Sequence, residues 1–161
     1  MVDSAEMLAL LPDGENICKI EGAFPKIDGF VARYAGSFDV ILCYSVFQYI
    51  FVEFPIFQFL DCALNLLAPG GQMLIGDIPN VTRRKRFFAS DSGRNFHKDF
   101  MKTDEDPVVE FNRIEFDKID DSVMLSLVQR ARLQGFDAFI LPQKPDLPMA
   151  NRREDIFIVR P

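Results

Sequence analysis

The sequence predicts an α/β domain with a mostly parallel sheet, helices on both faces of that sheet, and an antiparallel closing strand at the C-terminus. Three observations predict this fold class. Short apolar runs alternate along the chain with helical patterns, which is typical of parallel sheets. Residues 38–77 give a strand, a crossover helix and a second strand. The apolar runs 136–141 and 155–159 are joined by a Pro-rich loop that can connect an antiparallel pair. The chain is therefore assigned to a single domain, 1–161.

The first elements of the chain are short. Residues 4–11 are predicted to form a helix, which the Pro-Asp-Gly turn at 12–14 ends. Residues 17–21 alternate in character and are predicted to form a strand. The run 38–43 (FDVILC) is continuously apolar after its Asp, which predicts a strand buried on both faces.

The middle of the chain carries the clearest helix. Pro55 stands where the first turn of a helix tolerates proline. Apolar residues at spacings of three and four then mark one face: Ile56, Phe59, Leu60, Ala63, Leu64 and Leu67. The Pro-Gly-Gly turn at 69–71 ends this helix, and residues 72–77 (QMLIGD) are predicted to form the next buried strand.

In the second half of the chain, a segment without a clear pattern precedes a well-marked helix. Residues 78–117 are polar, charged and dotted with Phe, and their periodicity is weak, so this segment is predicted to be a lid or an insertion. Asp121 and Ser122 are good capping residues ahead of an amphipathic helix over 122–134. Gly135 is expected to close that helix in the left-handed conformation.

Composition excludes several classes of protein. A formal net charge of −6 argues against a dedicated nucleic-acid binder, which needs a basic surface. Polar residues and Pro55 interrupt the apolar stretch 40–67, which excludes a transmembrane helix, and no secretory signal opens the chain. The three cysteines show no CxxC spacing, so no metal site is predicted. They are interpreted as reduced thiols of a cytoplasmic protein.

Four segments carry motifs in a shared order: VDSAEML at 2–8, FDVILCYSVFQYI at 38–50, LNLLAPGGQMLIGDIP at 64–79, and the tail from 122 to 161. Together they resemble the class I (Rossmann-like) methyltransferases that use S-adenosylmethionine. The first segment is similar to the end of that family's second strand, and the next two resemble its fourth and fifth strands. The tail is similar to its last helix and two closing strands. The resemblance implies a small-molecule methyl acceptor.

The resemblance implies a cofactor site formed by seven residues: Asp3, Gly22, Ala23, Phe24, Cys43, Tyr44 and Ser45. Asp3 would accept hydrogen bonds from the ribose hydroxyls, a task that suits an acceptor-only carboxylate. Its alternative role is the N-cap of the first helix. Gly22, Ala23 and Phe24 fall where the family's third strand ends beside the adenine. Cys43 has the alternative of simple core packing.

The same resemblance implies an acceptor site formed by five residues: Phe47, Gln48, Tyr49, Asp77 and Asn80. Methyl transfer depends largely on proximity and orientation, and a general base is needed only when the acceptor must lose a proton. His97, Tyr49 and Asp77 are candidates for that base, and the catalytic residue remains unassigned. The basic turn at 82–86 (TRRKR) could meet a phosphate or simply be solvated.

One family feature has no counterpart. The glycine-rich loop that follows the family's first strand would precede Asp3, and no other segment replaces it. The sequence therefore predicts an incomplete form lacking the first βα unit, with weak or absent cofactor binding. A non-catalytic scaffold or binding protein is the alternative. Loss of a central strand would expose two strand edges, which predicts a repaired sheet or a homo-oligomer that pairs them.

Overall fold

The computed structural model describes residues 1–161. Its strands and helices alternate as the fold class requires. The strands are β1 (Val2–Asp3), β2 (Ile20–Glu21), β3 (Phe38–Tyr44), β4 (Leu67–Pro79), β5 (Asp137–Pro142) and β6 (Arg153–Val159). The helices are α1 (Ala5–Ala9), α2 (Phe30–Arg33), α3 (Phe47–Glu53), α4 (Ile56–Leu66), α5 (Val81–Ala89), α6 (Asp91–Met101) and α7 (Asp121–Leu133).

A four-stranded sheet in the order β3-β4-β6-β5 forms the centre of the fold. β3 and β4 are parallel, whereas β6 pairs antiparallel with both β4 and β5. Three of the four strands therefore run in one direction and β6 opposes them. This arrangement confirms the predicted α/β class, the mostly parallel sheet and the antiparallel closing strand.

The core lies on one face of this sheet, under α4 and α7. Strand alternation brings Ile41, Met73, Ile158 and Ala138 into one cross-strand row. The helices cover that row with fully buried residues of the predicted stripe and of α7: Leu60, Ala63, Leu64, Met124, Leu127 and Ala131. Each large aliphatic side chain buried here contributes about 1.5–3 kcal/mol relative to exposure, so this face supplies most of the stability.

The opposite face of the sheet is open in this chain. Val40 is 71% exposed and Leu42 is 66% exposed, and Phe139 and Leu141 on β5 share the same open face. The prediction that β3 is buried on both faces is therefore wrong. The physical reason is that the helices pack on the other face, so the predicted cover by helices on both faces is not found over Val40 and Leu42.

β1 and β2 form a separate two-stranded parallel sheet. No strand of this chain lies between β1 and β3. The N-terminal part is joined to the core through aromatic packing, since the Phe24 ring contacts both Phe30 and Phe59 edge-on. The fold is thus two sheets linked by side chains rather than one continuous sheet.

Helix ends follow the sequence closely, with three differences. α4 ends at Leu66, so Leu67 and the Pro-Gly-Gly segment at 69–71 belong to β4 rather than to the helix and its closing turn. Ser4, not Asp3, caps α1, and its side chain accepts a hydrogen bond from the Met7 N–H. Asp120 rather than Asp121 caps α7, while Gly135 has φ 88° and closes that helix as predicted. Within 78–117 the chain forms α5 and α6, capped by Asn80 and Ser90. None of the helices has the length and apolar character needed to cross a membrane.

Candidate functional site

Two residues in the left-handed conformation mark the carboxyl ends of the parallel strands. Tyr44 and Gly76 are register partners, so Ser45 and Asp77 follow them side by side. Ser45 has φ 60° and Asp77 has φ 61°. A residue other than glycine in this region costs on the order of 1 kcal/mol, and such residues cluster at functional sites. The two strands therefore present a strained polar pair at the edge where open α/β sheets bind ligands.

Asp77 is the centre of a hydrogen-bonded network. Its Oδ2 accepts from the Ser45 hydroxyl at 2.5 Å and from the Arg153 guanidinium, which also forms an ion pair with it. Its backbone N–H donates to Asp155 Oδ1 at 2.8 Å. The Gln143 amide donates to Asp77 Oδ1 at 3.3 Å and to Asp155 Oδ1 at 3.1 Å. Asp77 is thus held in place by charge-assisted bonds from three elements.

Two amide oxygens at this edge lack a protein donor. Gln48 donates to the Ser45 carbonyl at 2.8 Å, while its own Oε1 is buried without a partner. Gln143, which is buried, also leaves its Oε1 without a partner. A buried acceptor without a donor is costly, so water or a ligand group that donates hydrogen bonds fits here.

The predicted cofactor residues on β1 and β2 lie apart from this network. Asp3 is exposed, and its Oδ1 accepts from the Ser4 N–H at 2.8 Å. Because Ser4 is the N-cap, the second oxygen of Asp3 is left available. Gly22 has φ 147° and donates its N–H to the Asp3 carbonyl at 3.0 Å. Ala23 beside it is exposed.

The remaining predicted cofactor residues differ in what they contact. Phe24 packs against Phe30 and Phe59, and Cys43 packs against the core. Burial raises the pKa of the Cys43 thiol to about 12, a placement that favours its packing alternative. Tyr44 points the other way, and its ring covers Gly76 so closely that a Cβ there would lie 2.4 Å from Tyr44 Cδ2.

The predicted acceptor residues fall into two groups. Gln48 and Asp77 belong to the network, and Tyr49, the next residue after Gln48 on α3, is 62% exposed. Phe47 is completely buried and packs against Phe59, so it has no surface for a ligand. Its position at the first turn of α3 directs it inward, where the core needs a large apolar side chain.

Asn80 organises a second network behind the first. It is 1% exposed, its Oδ1 accepts from two N–H groups at the start of α5, and its amide donates to Glu154 and Asp121 at 2.6 and 2.7 Å. Arg83 donates to the other Glu154 oxygen at 3.1 Å. Asn80 is therefore committed to joining α5, α7 and β6.

His97 lies in a different place. It lines a cavity of about 530 Å³ between α5, α6 and the 107–115 segment, and its ring meets Phe88 edge-on at 6.2 Å. It takes no part in the hydrogen bonds around Asp77. Of the three predicted candidates for a general base, His97 is therefore separate from Asp77, and the Asp77 carboxylate is the one held at the sheet edge.

Three residues of the Asp77 network were not predicted from the sequence: Arg153, Asp155 and Gln143. The charged run at 153–155 enters β6, and antiparallel pairing with β4 sets Arg153 opposite Pro79. This pairing register places the first residues of β6 at the end of β4, so a prediction of the register would have located Arg153 and Asp155. Gln143 carries no local signal, because it reaches the site through a loop.

The fold and the site together define an α/β domain whose polar site lies at the carboxyl edge of two parallel strands. No protein-family model matches the chain. Chondramide synthase cmdD of Chondromyces crocatus is 40% identical to it over 67 residues, which are 39% of this chain and 2% of that protein. The match therefore spans a small part of a much longer relative.

Two solved structures are similar in fold. A SAM-dependent methyltransferase of Thermotoga maritima, described as a possible histamine N-methyltransferase, is 17% identical with a TM-score of 0.45, over 89% of this chain and 63% of that chain. The CurJ carbon methyltransferase is 16% identical with a TM-score of 0.43, over 79% of this chain and 30% of that chain. At these identities the likeness concerns the fold alone.

Proposed function

We propose that this chain is a form of an S-adenosylmethionine-dependent methyltransferase that acts on a small molecule and holds its cofactor weakly. One observation carries the proposal: the strand order β3-β4-β6-β5 brings Ser45 and Asp77 together at the carboxyl edge, each in a strained conformation. The motif order in the sequence supports the same function. S-adenosylmethionine, when bound, supplies an electrophilic methyl group on a sulfonium.

The residues of this chain fit part of that cofactor. Asp3 offers one exposed carboxylate oxygen for the ribose hydroxyls, at the end of β1. The seven predicted residues offer no run of backbone N–H groups for the methionine end, because the Gly22 N–H is already bonded to β1. The fit is therefore limited to the nucleoside part of the cofactor.

At the acceptor side, the network performs positioning rather than proton transfer. Asp77 accepts bonds from Ser45, Arg153 and Gln143, so its oxygens are already engaged. The Gln48 and Gln143 carbonyl oxygens are buried without a donor, so an amine or hydroxyl of a small acceptor that enters this edge would satisfy them. Tyr49, the next residue after Gln48 on α3, is exposed and can cover such a molecule.

Calorimetry with S-adenosylmethionine, supported by ligand-observed NMR, tests the proposal. We expect binding too weak for a low-micromolar dissociation constant, because the methionine end has no anchor. The isosteric substitution Asp3→Asn removes the carboxylate charge and is expected to weaken the residual binding about 5- to 10-fold, as loss of a charge-assisted hydrogen bond does. Asp28→Asn, at another exposed carboxylate, serves as the matched control and is expected to leave it unchanged.

Each outcome of this titration decides something. A low-micromolar constant for the unmodified chain would contradict the weak anchoring. Equal affinity in Asp3→Asn and Asp28→Asn would remove Asp3 from the site. Complete absence of binding at millimolar ligand would favour the alternative function, a non-catalytic methyltransferase-like scaffold or binding protein.

The exposed edge of β3 supports a further part of the proposal, association of two copies of this chain. An edge strand of seven residues without lysine or proline is a template for pairing. Antiparallel pairing about Ile41 would set Val40 of one copy beside Leu42 of the other, and Phe38 beside Tyr44.

The three cysteines form no disulfide, which supports a cytoplasmic location as part of the same proposal.

A further inference from the structure

The basic turn after β4 is mostly neutralised by its surroundings. Arg83 pairs with Glu154 at 3.1 Å, Lys85 pairs with Glu115 at 2.9 Å, and Arg86 pairs with Asp121. Arg84 is the exception, since it forms neither an ion pair nor a hydrogen bond and lies 5.9 Å from the centre of the Phe88 ring. Of the four cations, one is therefore free to meet an external anion.

A second unpaired cation packs against the same ring. The Arg152 guanidinium packs against the rings of Phe88 and Phe96, at 5.8 and 5.4 Å from their centres. It forms no ion pair, and its Nε is buried without a hydrogen-bond acceptor. Burial, together with the charges of Arg84 and Arg153, lowers the pKa of Arg152. A partly desolvated cation near like charges is unfavourable unless an anion accompanies it.

The two guanidiniums share one aromatic ring next to a cavity. Phe88 and Arg84 line the 530 Å³ cavity together with His97. The other charged groups that line it are already engaged, because Lys85 pairs with Glu115 and Arg113 pairs with Glu110. The cavity therefore has apolar walls at Val81 and Ile114, and Arg84 is the arginine on its lining that has no ion pair. Arg152 meets the cavity through the Phe88 ring that it shares with Arg84.

We infer that Arg84 and Arg152 bind a phosphate group carried by a small molecule. Two planar guanidinium forks suit a doubly charged tetrahedral anion better than a single carboxylate. The adjacent cavity has room for the rest of the molecule. If the proposed function holds, that molecule is the methyl acceptor. This assignment rests on the proposed function, whereas the phosphate site does not.

The chain itself links this site to the Asp77 network. Arg153 directly follows Arg152 and bonds to Asp77, while the Arg152 carbonyl accepts from the Asn80 N–H at 3.2 Å. Consecutive Cα atoms are about 3.8 Å apart. The Arg152 backbone is therefore joined directly to the Asp77 network, while its guanidinium packs on Phe88 and Phe96.

NMR titration with inorganic phosphate and with phenyl phosphate tests the inference without any cofactor. We expect both to bind, phenyl phosphate more tightly because its ring enters the cavity. Arg152→Gln and Arg84→Gln are each expected to weaken binding at least about 5-fold, as loss of one charged hydrogen-bonding partner does. Arg33→Gln is the matched control, an exposed arginine that lies over Tyr34.

The outcomes separate this inference from the proposed function. Unchanged phosphate affinity in Arg152→Gln, or acetate binding as tight as phosphate, would overturn the phosphate site. Equal affinity for inorganic phosphate and phenyl phosphate would overturn its assignment to a phosphorylated small molecule. Circular dichroism of the two variants checks that they fold. Loss of phosphate binding in these variants supports the site even if S-adenosylmethionine fails to bind.

Discussion

At the residue scale, the site depends on left-handed backbone conformations that cannot be predicted from the type of side chain. Ser45 and Asp77 both take a left-handed backbone, where glycine or asparagine would be less strained. Gly76, which precedes Asp77 on β4, has no side chain and so leaves space for the Tyr44 ring. Local sequence predicts where the strands end, but the hydrogen bonds from Arg153 and Gln143 that hold these conformations come from distant parts of the chain.

Cys43 offers a residue-scale prediction that separates core packing from ligand contact. Burial raises the pKa of its thiol to about 12, so at pH 8 the reactive thiolate is on the order of a thousandfold scarcer than for an ordinary thiol. We expect a disulfide reagent to label exposed Cys18 in a fast phase and Cys43 at least about a hundredfold more slowly. Cys43→Ala should remove a slow phase and leave the fast phase intact. Equal labelling rates would place the Cys43 thiol at an open ligand site.

At the element scale, α5 and α6 show how a segment can be ordered without a readable pattern. Their Phe residues stack on one another rather than on the sheet: Phe87, Phe88, Phe96 and Phe100. Gly93 is the one buried residue of α6, and no residue of α5 is buried. Their interface is therefore local, and their caps, Asn80 and Ser90, are the main signals in the sequence.

Gly93 allows the close contact of these two helices. A Cβ at this position would lie 1.9 Å from the Phe87 carbonyl oxygen and 2.8 Å from the Phe88 Cα, both backbone atoms. Gly93→Ala in a free helix would stabilise by about 1 kcal/mol. Here we expect a loss of about 1–3 kcal/mol in the free energy of unfolding, because backbone must move. Urea denaturation measures it.

Ser92→Ala is the control for that measurement. Ser92 is exposed on the same helix, so its substitution is expected to change the free energy of unfolding by less than about 0.5 kcal/mol. A Gly93→Ala variant as stable as Ser92→Ala would mean that α6 is not packed against α5 in solution.

The elements that the sequence predicted share one physical property. β3, β4, α4 and α7 all contribute apolar residues to the same core, which appear in the sequence as continuous runs for the strands and as a periodic face for the helices. The helix over 56–66 and the left-handed Gly135 followed from such local signals. Arg153 and Gln143 did not, since strand register and loop position decide where they lie. The end of β4 where the Asp77 network forms was thus predictable from the sequence, but the partners of Asp77 were not.

At the scale of the whole molecule, the sheet is divided and half covered. β1 and β2 stand apart from β3, and the face that carries Val40, Leu42 and Phe139 is exposed. Exposed apolar surface of this kind marks interaction sites in soluble proteins. The sequence analysis predicted exposed strand edges, but it did not predict that a whole face of β3 would lie open.

Association through β3 gives the last prediction. Light scattering of the unmodified chain should show a mass that rises with concentration toward a dimer. Leu42→Lys places a charge at each contact with Val40 of the other copy, and we expect it to return the chain to a monomer, because lysine on an edge strand opposes pairing. Leu125→Lys is the matched control, an exposed leucine on α7 whose replacement should leave the dimer intact. A monomer at high concentration before any substitution, or a dimer that survives Leu42→Lys, would show that β3 does not pair.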